Sequence, residues 1–206
     1  MQLNGKTAII TGGGSGFGAS MADLFAKNGA KIIVADINLD SARKVAEGTG
    51  GYPFEVDVSS AKSVEQMKIE IFKEFEKVDI VVNNAGTTHL PAPMETIEED
   101  EFDRVFNVNC KSVYLTAKHF VPHFKENKSG VILNIASTAG VSPRPNLNWY
   151  NSSKGWMILA SKTMAVELAP FGIRVNVINP VAGETPLLKS FLGEATPETR
   201  GKFLST

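Results

Sequence analysis

Residues 7–19 read TAIITGGGSGFGA, and their order decides the fold. Thr7-Ala8-Ile9-Ile10 is a short apolar run bounded by turn residues, the pattern of a strand buried on both faces of a parallel sheet. The run stops at Thr11-Gly12-Gly13-Gly14-Ser15-Gly16-Phe17-Gly18, and a helical pattern takes over at residues 19–28. Strand, glycine turn and helix is the layout that lays a pyrophosphate across backbone N–H groups at a helix N-terminus. Glycine belongs there because the turn needs positive φ and because the backbone must come close to its ligand. Two spacings fit the run, Gly14-x-Gly16-x-x-Ala19 and Thr11-Gly12-x-x-x-Gly16-x-Gly18.

Outward from this turn the same unit repeats. Residues 31–35 form a second strand, and Asp36 stands at its end, about 20 residues past the glycines, where an acid accepts hydrogen bonds from ribose hydroxyls. A helix at 39–47 and a strand at 52–56 lead to Asp57-Val58-Ser59, where Asp57 or Ser59 would cap the next helix, near residues 61–77. That helix repeats Val64, Met67, Ile71 and Phe75 at helical spacing. A fourth strand at 79–82 runs into Asn83-Asn84-Ala85-Gly86. Residues 98–107 and 111–127 read as two helices with Asn109 between them, an awkward place for a side chain that competes for backbone hydrogen bonds. Strands at 131–135 and 174–178 flank a helix at 151–170. Alternating strands and helices predict one doubly wound α/β layer, with ligand groups at the carboxyl ends of the strands.

Tyr150 and Lys154 stand four residues apart at the start of that last helix, so they share a face. A free tyrosine titrates near ~10, and a nearby cation stabilises its phenolate. Ser137 lies at the end of the fifth strand, before Tyr150. With the glycine turn, Asp36, the Asn83–Gly86 motif and Asn109, this set resembles the classical short-chain dehydrogenase/reductase family in order and spacing, from about Leu3 to Thr185.

The resemblance implies a Rossmann-like single domain, with residues 1–90 as the cofactor half, 91–185 as the catalytic half and 186–206 as the start of a substrate-covering segment. It implies hydride transfer between a nicotinamide and a secondary alcohol or ketone. Tyr150 is then the general acid or base, Lys154 lowers its pKa and binds the nicotinamide ribose, Ser137 holds the substrate oxygen, and Asn109 completes a proton relay. Gly12, Ser15, Gly16, Phe17 and Gly18 would take the pyrophosphate, Asp36 the adenosine ribose, and Asp57 and Val58 the adenine. Asn83 is expected to be structural, Asn84, Ala85 and Gly86 to border the cofactor, and Pro180 and Thr185 to face the nicotinamide, with Val181 replacing the family's usual glycine. Members that use NADP place a basic residue where this chain has Ser15, Ile37 or Asn38, so the implied cofactor is NAD, and no metal is expected. The 3-oxoacyl-carrier-protein reductases and the sugar or polyol dehydrogenases are alternatives for the substrate. A dinucleotide-binding scaffold without catalysis is the alternative from another class.

The bulk numbers fit one core and small partners. A chain of 206 residues with 21 basic and 22 acidic side chains carries a net charge of −1, which leaves no electrostatic footprint for nucleic acid or an anionic membrane. Cys110 reads as a buried structural thiol, His89 as a solvated loop histidine, and Arg144 as a solvated loop arginine beside the substrate. No signal-peptide pattern or membrane-length apolar run is read, so a soluble cytoplasmic protein is expected. The helix at 151–170 carries more apolar residues than one stripe needs, which predicts a homodimer or homotetramer. After Leu187 a polar, helix-capable stretch begins and the sequence stops, whereas the family continues to a further edge strand. The expectation is a shortened member or a missing C-terminal part, with an open sheet edge.

Overall fold

Alternating apolar residues on β1 (Thr7–Thr11) feed two separate cores, and this sets the layers of the molecule. In the computed structural model, which describes residues 3–192, 196 and 201, Ile9 joins one cluster with Met67, Ile71, Phe120 and Phe124. Ala8 and Ile10 join the other, with Ala22, Ala42 and Ala46. Successive strand residues point to opposite faces, so a strand apolar throughout must be covered on both.

The remaining elements are α1 (Gly16–Lys27), β2 (Lys31–Asp36), α2 (Leu39–Thr49), β3 (Tyr52–Glu55), α3 (Ala61–Glu74) and β4 (Ile80–Asn83). They continue with α4 (Glu99–Phe106), α5 (Ser112–Glu126), β5 (Gly130–Ile135), α6 (Asn148–Leu168), β6 (Ile173–Ile178) and α7 (Pro186–Leu192). The six strands are parallel in the order β3-β2-β1-β4-β5-β6. The winding reverses between β1 and β4, where such sheets open a crevice at their carboxyl ends. This is the expected doubly wound, Rossmann-like single domain. Among the described residues β6 is an outer strand. Much of the expected polar, helix-capable C-terminal stretch lies outside the described residues.

Several boundaries differ from expectation for physical reasons. Helix α1 begins at Gly16 rather than Ala19, so the last glycines form its first turn. Helix α3 stops at Glu74; Phe75 turns extended and sets its ring edge-on to Tyr52 at 5.8 Å. Ser60, rather than Asp57 or Ser59, caps α3 through the Ser63 amide. Helix α6 begins at Asn148, and past Leu168 it tightens into a 3₁₀ turn at Ala169–Phe171 that carries Pro170. The expected break at Asn109 does not occur: α4 and α5 run on through a π turn, Asn107–Lys111, with helical backbone on both sides. A wider turn accommodates the extra residue without breaking the rod.

A polar seam crosses this core. Asn83 donates to Asn134 and accepts from Thr116, both at 2.8 Å, while Asn134 donates to Ser161 at 2.8 Å. These buried groups are satisfied as a chain, joining β4 and β5 to α5 and α6. Asn83 is structural, as its motif implied.

Candidate active site

The crevice at the sheet reversal is held open by backbone. Thr11 Oγ1 donates to the Val82 carbonyl at 3.2 Å and accepts from the Asn84 and Ala85 amides at 3.1 Å each. Asn84 Nδ2 returns two bonds, to the carbonyls of Thr11 and Gly12 at 3.0 Å. Gly12 sits at φ +61, and a Cβ there would lie 2.9 Å from the Ala85 Cα. No other residue tolerates both conditions. Gly18 serves differently: a Cβ on it would fall 2.1 Å from the Gly12 carbonyl oxygen, so it lets α1 close onto the turn.

No side chain caps α1; Ser15 is its N-cap residue but makes no cap hydrogen bond. The amides of the first helical turn therefore face the crevice with their positive end of the helix dipole. Asp36 accepts from the Gly14 amide at 2.9 Å and the Asn38 amide at 3.0 Å, while Asn38 caps α2. Asp57 accepts from both the amide and the hydroxyl of Ser59.

Gly12, Ser15, Asp36, Asp57, Asn84 and Ala85 line a cleft of about 700 Å³, together with Tyr150, Lys154 and Thr185. Of the residues expected to hold a dinucleotide, only Gly18 and Pro180 stand outside its wall. Gly18 packs behind the turn. Pro180 lines an adjoining apolar cavity of about 90 Å³ with Ser137, Leu147, Leu188 and Phe191. The two cavities share Phe17, Ala136, Tyr150, Thr185 and Leu187. Sequence reasoning does not single out Thr87, Arg104, Val108 or Leu187, which also line the larger cleft. For Thr87 and Val108 the signal is adjacency to Gly86 and Asn109; for Arg104 and Leu187 there is none.

Tyr150 and Ser137 are buried, the Ser137 hydroxyl acts on the Tyr150 phenol, and Ser137 Oγ accepts from the Ala139 amide. Lys154 Nζ donates to the Ile135 carbonyl at 2.9 Å and lies 5.9 Å from the centre of the Tyr150 ring. Burial pushes the Tyr150 phenol above its ordinary value, and the Ser137 hydroxyl offsets only part of this. Burial lowers Lys154 to about 8, with Cys110 opposing. The expected lowering of the Tyr150 pKa by Lys154 is thus not present: desolvation governs both groups, and the ammonium is engaged by a carbonyl.

Asn109 is fully buried and lines neither cavity. Its carboxamide oxygen accepts from the Thr87 amide, and its nitrogen donates to the Thr87 carbonyl and to Ser153 Oγ, all at 2.9 Å. Ser153 Oγ in turn donates to the Tyr150 carbonyl at 2.7 Å.

Two loop residues differ from expectation. His89 is buried, not solvated: Nδ1 meets the Leu90 carbonyl at 2.8 Å, and Nε2 has no partner among the described residues. Arg144 is half-buried on the wall of the smaller cavity, engaged in an interaction of its own, and its carbonyl accepts from Asn151 at 2.7 Å. Cys110 is buried as read, and its thiol is pushed up to about 12 despite Lys154. Among the described residues no three His, Cys, Asp or Glu side chains form a metal-binding group.

The crevice, the hydroxyl pair and the buried lysine define a dinucleotide-dependent oxidoreductase of the short-chain type. The chain matches the short chain dehydrogenase family over residues 6–195 and belongs to it. It is 44% identical, over all of its length and 84% of the relative's, to the 4-formylbenzenesulfonate dehydrogenase TsaC1/TsaC2 of Comamonas testosteroni. It is 37% identical to the 3-oxoacyl-[acyl-carrier-protein] reductase FabG of Thermotoga maritima, over 97% of this chain and 82% of that one. Its fold matches the crystal structure of a 3-ketoacyl-(acyl-carrier-protein) reductase from Brucella melitensis complexed with NADH, with a TM-score of 0.91 and 48% identity, over 93% of this chain and 82% of that one.

Proposed function

We propose that the larger cleft takes NAD(H) and that the protein interconverts a secondary alcohol and a ketone in the smaller cavity. The observation that carries this reading is the meeting of both cavities at Tyr150, with Ser137 on one side and Lys154 on the other. The cleft suits a dinucleotide: Gly12 and Gly16 line it without side chains, and α1 offers uncapped amides to a pyrophosphate. Asp36 supports NAD, because its carboxylate lines the cleft beside Ile37 and would repel a 2′-phosphate.

When bound, the nicotinamide supplies the hydride. The chain supplies the proton and the geometry. In reduction, Tyr150 gives its phenolic proton to the carbonyl oxygen, and its raised pKa keeps that proton in place at neutral pH. Ser137 orients the same oxygen. In oxidation, Tyr150 as the phenolate takes the proton from the alcohol hydroxyl. Asn109 fixes the turn of α6 that carries both groups.

Tyr150→Phe is expected to cut turnover by about 10²–10⁴-fold while leaving NADH affinity within about twofold. Near-normal turnover would refute the assignment. NADH is expected to bind more tightly than NADPH, and direct titration of both checks it. Likeness to the Brucella 3-ketoacyl-(acyl-carrier-protein) reductase favours a 3-oxoacyl thioester as the second reading for the substrate. Exposed Trp156, Leu159 and Val166 on α6 support a homodimer or homotetramer, which sedimentation tests. A cytoplasmic setting belongs to the same proposal and rests on the single reduced thiol.

A further inference from the structure

Arg104 lines the dinucleotide cleft, yet its guanidinium is already occupied. Nε and Nη2 hold the two Glu101 oxygens at 2.9 Å, Nη2 also donates to the Thr88 carbonyl at 2.9 Å, and Nη1 donates to the Thr87 hydroxyl. A guanidinium has five N–H donors, so four of them are committed within the protein. A group meant to clamp a ligand anion would keep its fork open. Arg104 instead grips the loop after Gly86.

That loop is what holds Asn109. The Thr87 amide and carbonyl together pinch the Asn109 carboxamide, whose remaining N–H goes to Ser153, between Tyr150 and Lys154 on α6. A Cβ built on Gly86 would meet Asn109 Oδ1 and Lys154 Nζ, each at 3.5 Å, so the loop, the amide and the ammonium converge. Arg104 and Asn109 sit five residues apart. In a regular α-helix that spacing turns side chains about 140° away from each other. The π turn at Asn107–Lys111 opens the winding towards five residues per hydrogen-bonded turn, and both side chains reach Thr87.

We propose that Arg104 is a positioning residue: by holding Thr87 and Thr88 it sets the Asn109 carboxamide against Ser153 and thereby fixes the helical turn bearing Tyr150 and Lys154. This rests on the catalytic reading of those two residues. The Arg104 side chain is 43% exposed, so its removal opens no core cavity and the variants are expected to fold.

The test is a mutant cycle of Arg104→Gln, Asn109→Ala and the double variant, with Thr87→Val and Thr87→Ser alongside. Turnover is read as NADH-dependent reduction of cyclopentanone and a panel of aryl aldehydes and ketones. Hydrogen exchange of the NADH-bound protein over residues 148–157 is read in parallel and needs no substrate. Arg104→Gln is expected to lower kcat about tenfold with little change in NADH affinity, and to speed exchange over residues 148–157. Once Asn109 is alanine, removing Arg104 should cost little more in either readout. Thr87→Ser should recover most of what Thr87→Val loses, because only the hydroxyl is gripped. Multiplying losses in the double variant would overturn the proposal, as would an Arg104→Gln effect confined to NADH affinity. If the wild type binds NADH but reduces no carbonyl, the oxidoreductase reading fails on its own, and non-additive exchange still decides the role of Arg104.

Discussion

The two ends of the cleft are built from different material. At the β1–β3 end the bonds are backbone amides donating to carboxylates: the Gly14 amide to Asp36, the Asn38 amide to the same carboxylate, the Ser59 amide to Asp57. At the β4–β6 end they are buried side chains reaching across the fold, Asn109 to Ser153 over 44 positions and Asn83 to Asn134 over 51. The first end is a shape made by glycines, which fails when volume is added. The second is a set of desolvated polar groups, one of them a lysine whose charge the fold tolerates at a cost in stability.

Three substitutions sharpen that contrast. Gly18→Ala forces a Cβ against the Gly12 carbonyl oxygen, which has nowhere to move, and is expected to cost about 3 kcal/mol or more in urea unfolding and to abolish NADH binding. Full stability in this variant would show that the glycine end is not governed by volume. Lys154→Met should do the reverse, abolishing turnover while stabilising the fold by about 1–2 kcal/mol at pH 7. Its pH signature is specific. Below about pH 8 the amine is protonated in both the folded and the unfolded chain; between about 8 and its ordinary 10.5 only the unfolded chain keeps the proton, so this group makes stability rise with pH across that window. The wild-type minus variant difference in unfolding free energy should climb there, and a flat difference would show that Lys154 is not held neutral by burial. Smallest is Asp36→Asn. It keeps the acceptor for Gly14 but removes the charge, and is expected to narrow the preference for NADH over NADPH about fivefold with little loss of stability, read by titration of both.

The same contrast decides which features are legible in the sequence. The glycine turn, Asp36 and the strand ends are legible because each is fixed by residue type and by its place in the successive strand-and-helix units. Tyr150 and Lys154 are legible as a spacing, but the sign of the tyrosine's pKa shift is not. Spacing says nothing about desolvation, and here burial raises the phenol with only Ser137 opposing it. Asn109 stands out as an anomaly in a helix, and the family resemblance lends it a role, yet its partners Thr87 and Ser153 lie 22 and 44 positions away. His89 shows the limit from the other side: a lone histidine among threonines and prolines reads as solvated, and only the way the loop folds in buries it. The sequence pattern starts two helices too late, because Gly16 and Asn148 are poor helix formers inside first turns that tertiary contacts enforce.

The π turn before α5 carries one residue more than a regular helix would use. Excising a residue between 107 and 111 would give a tidier, locally more favourable rod, but it would rotate everything downstream by about 100° and pull Phe120 and Phe124 off the sheet. The irregularity is therefore an indel barrier: insertions and deletions can accumulate in the loops around it, while the length of this one rod is locked by the phase it must keep on both sides.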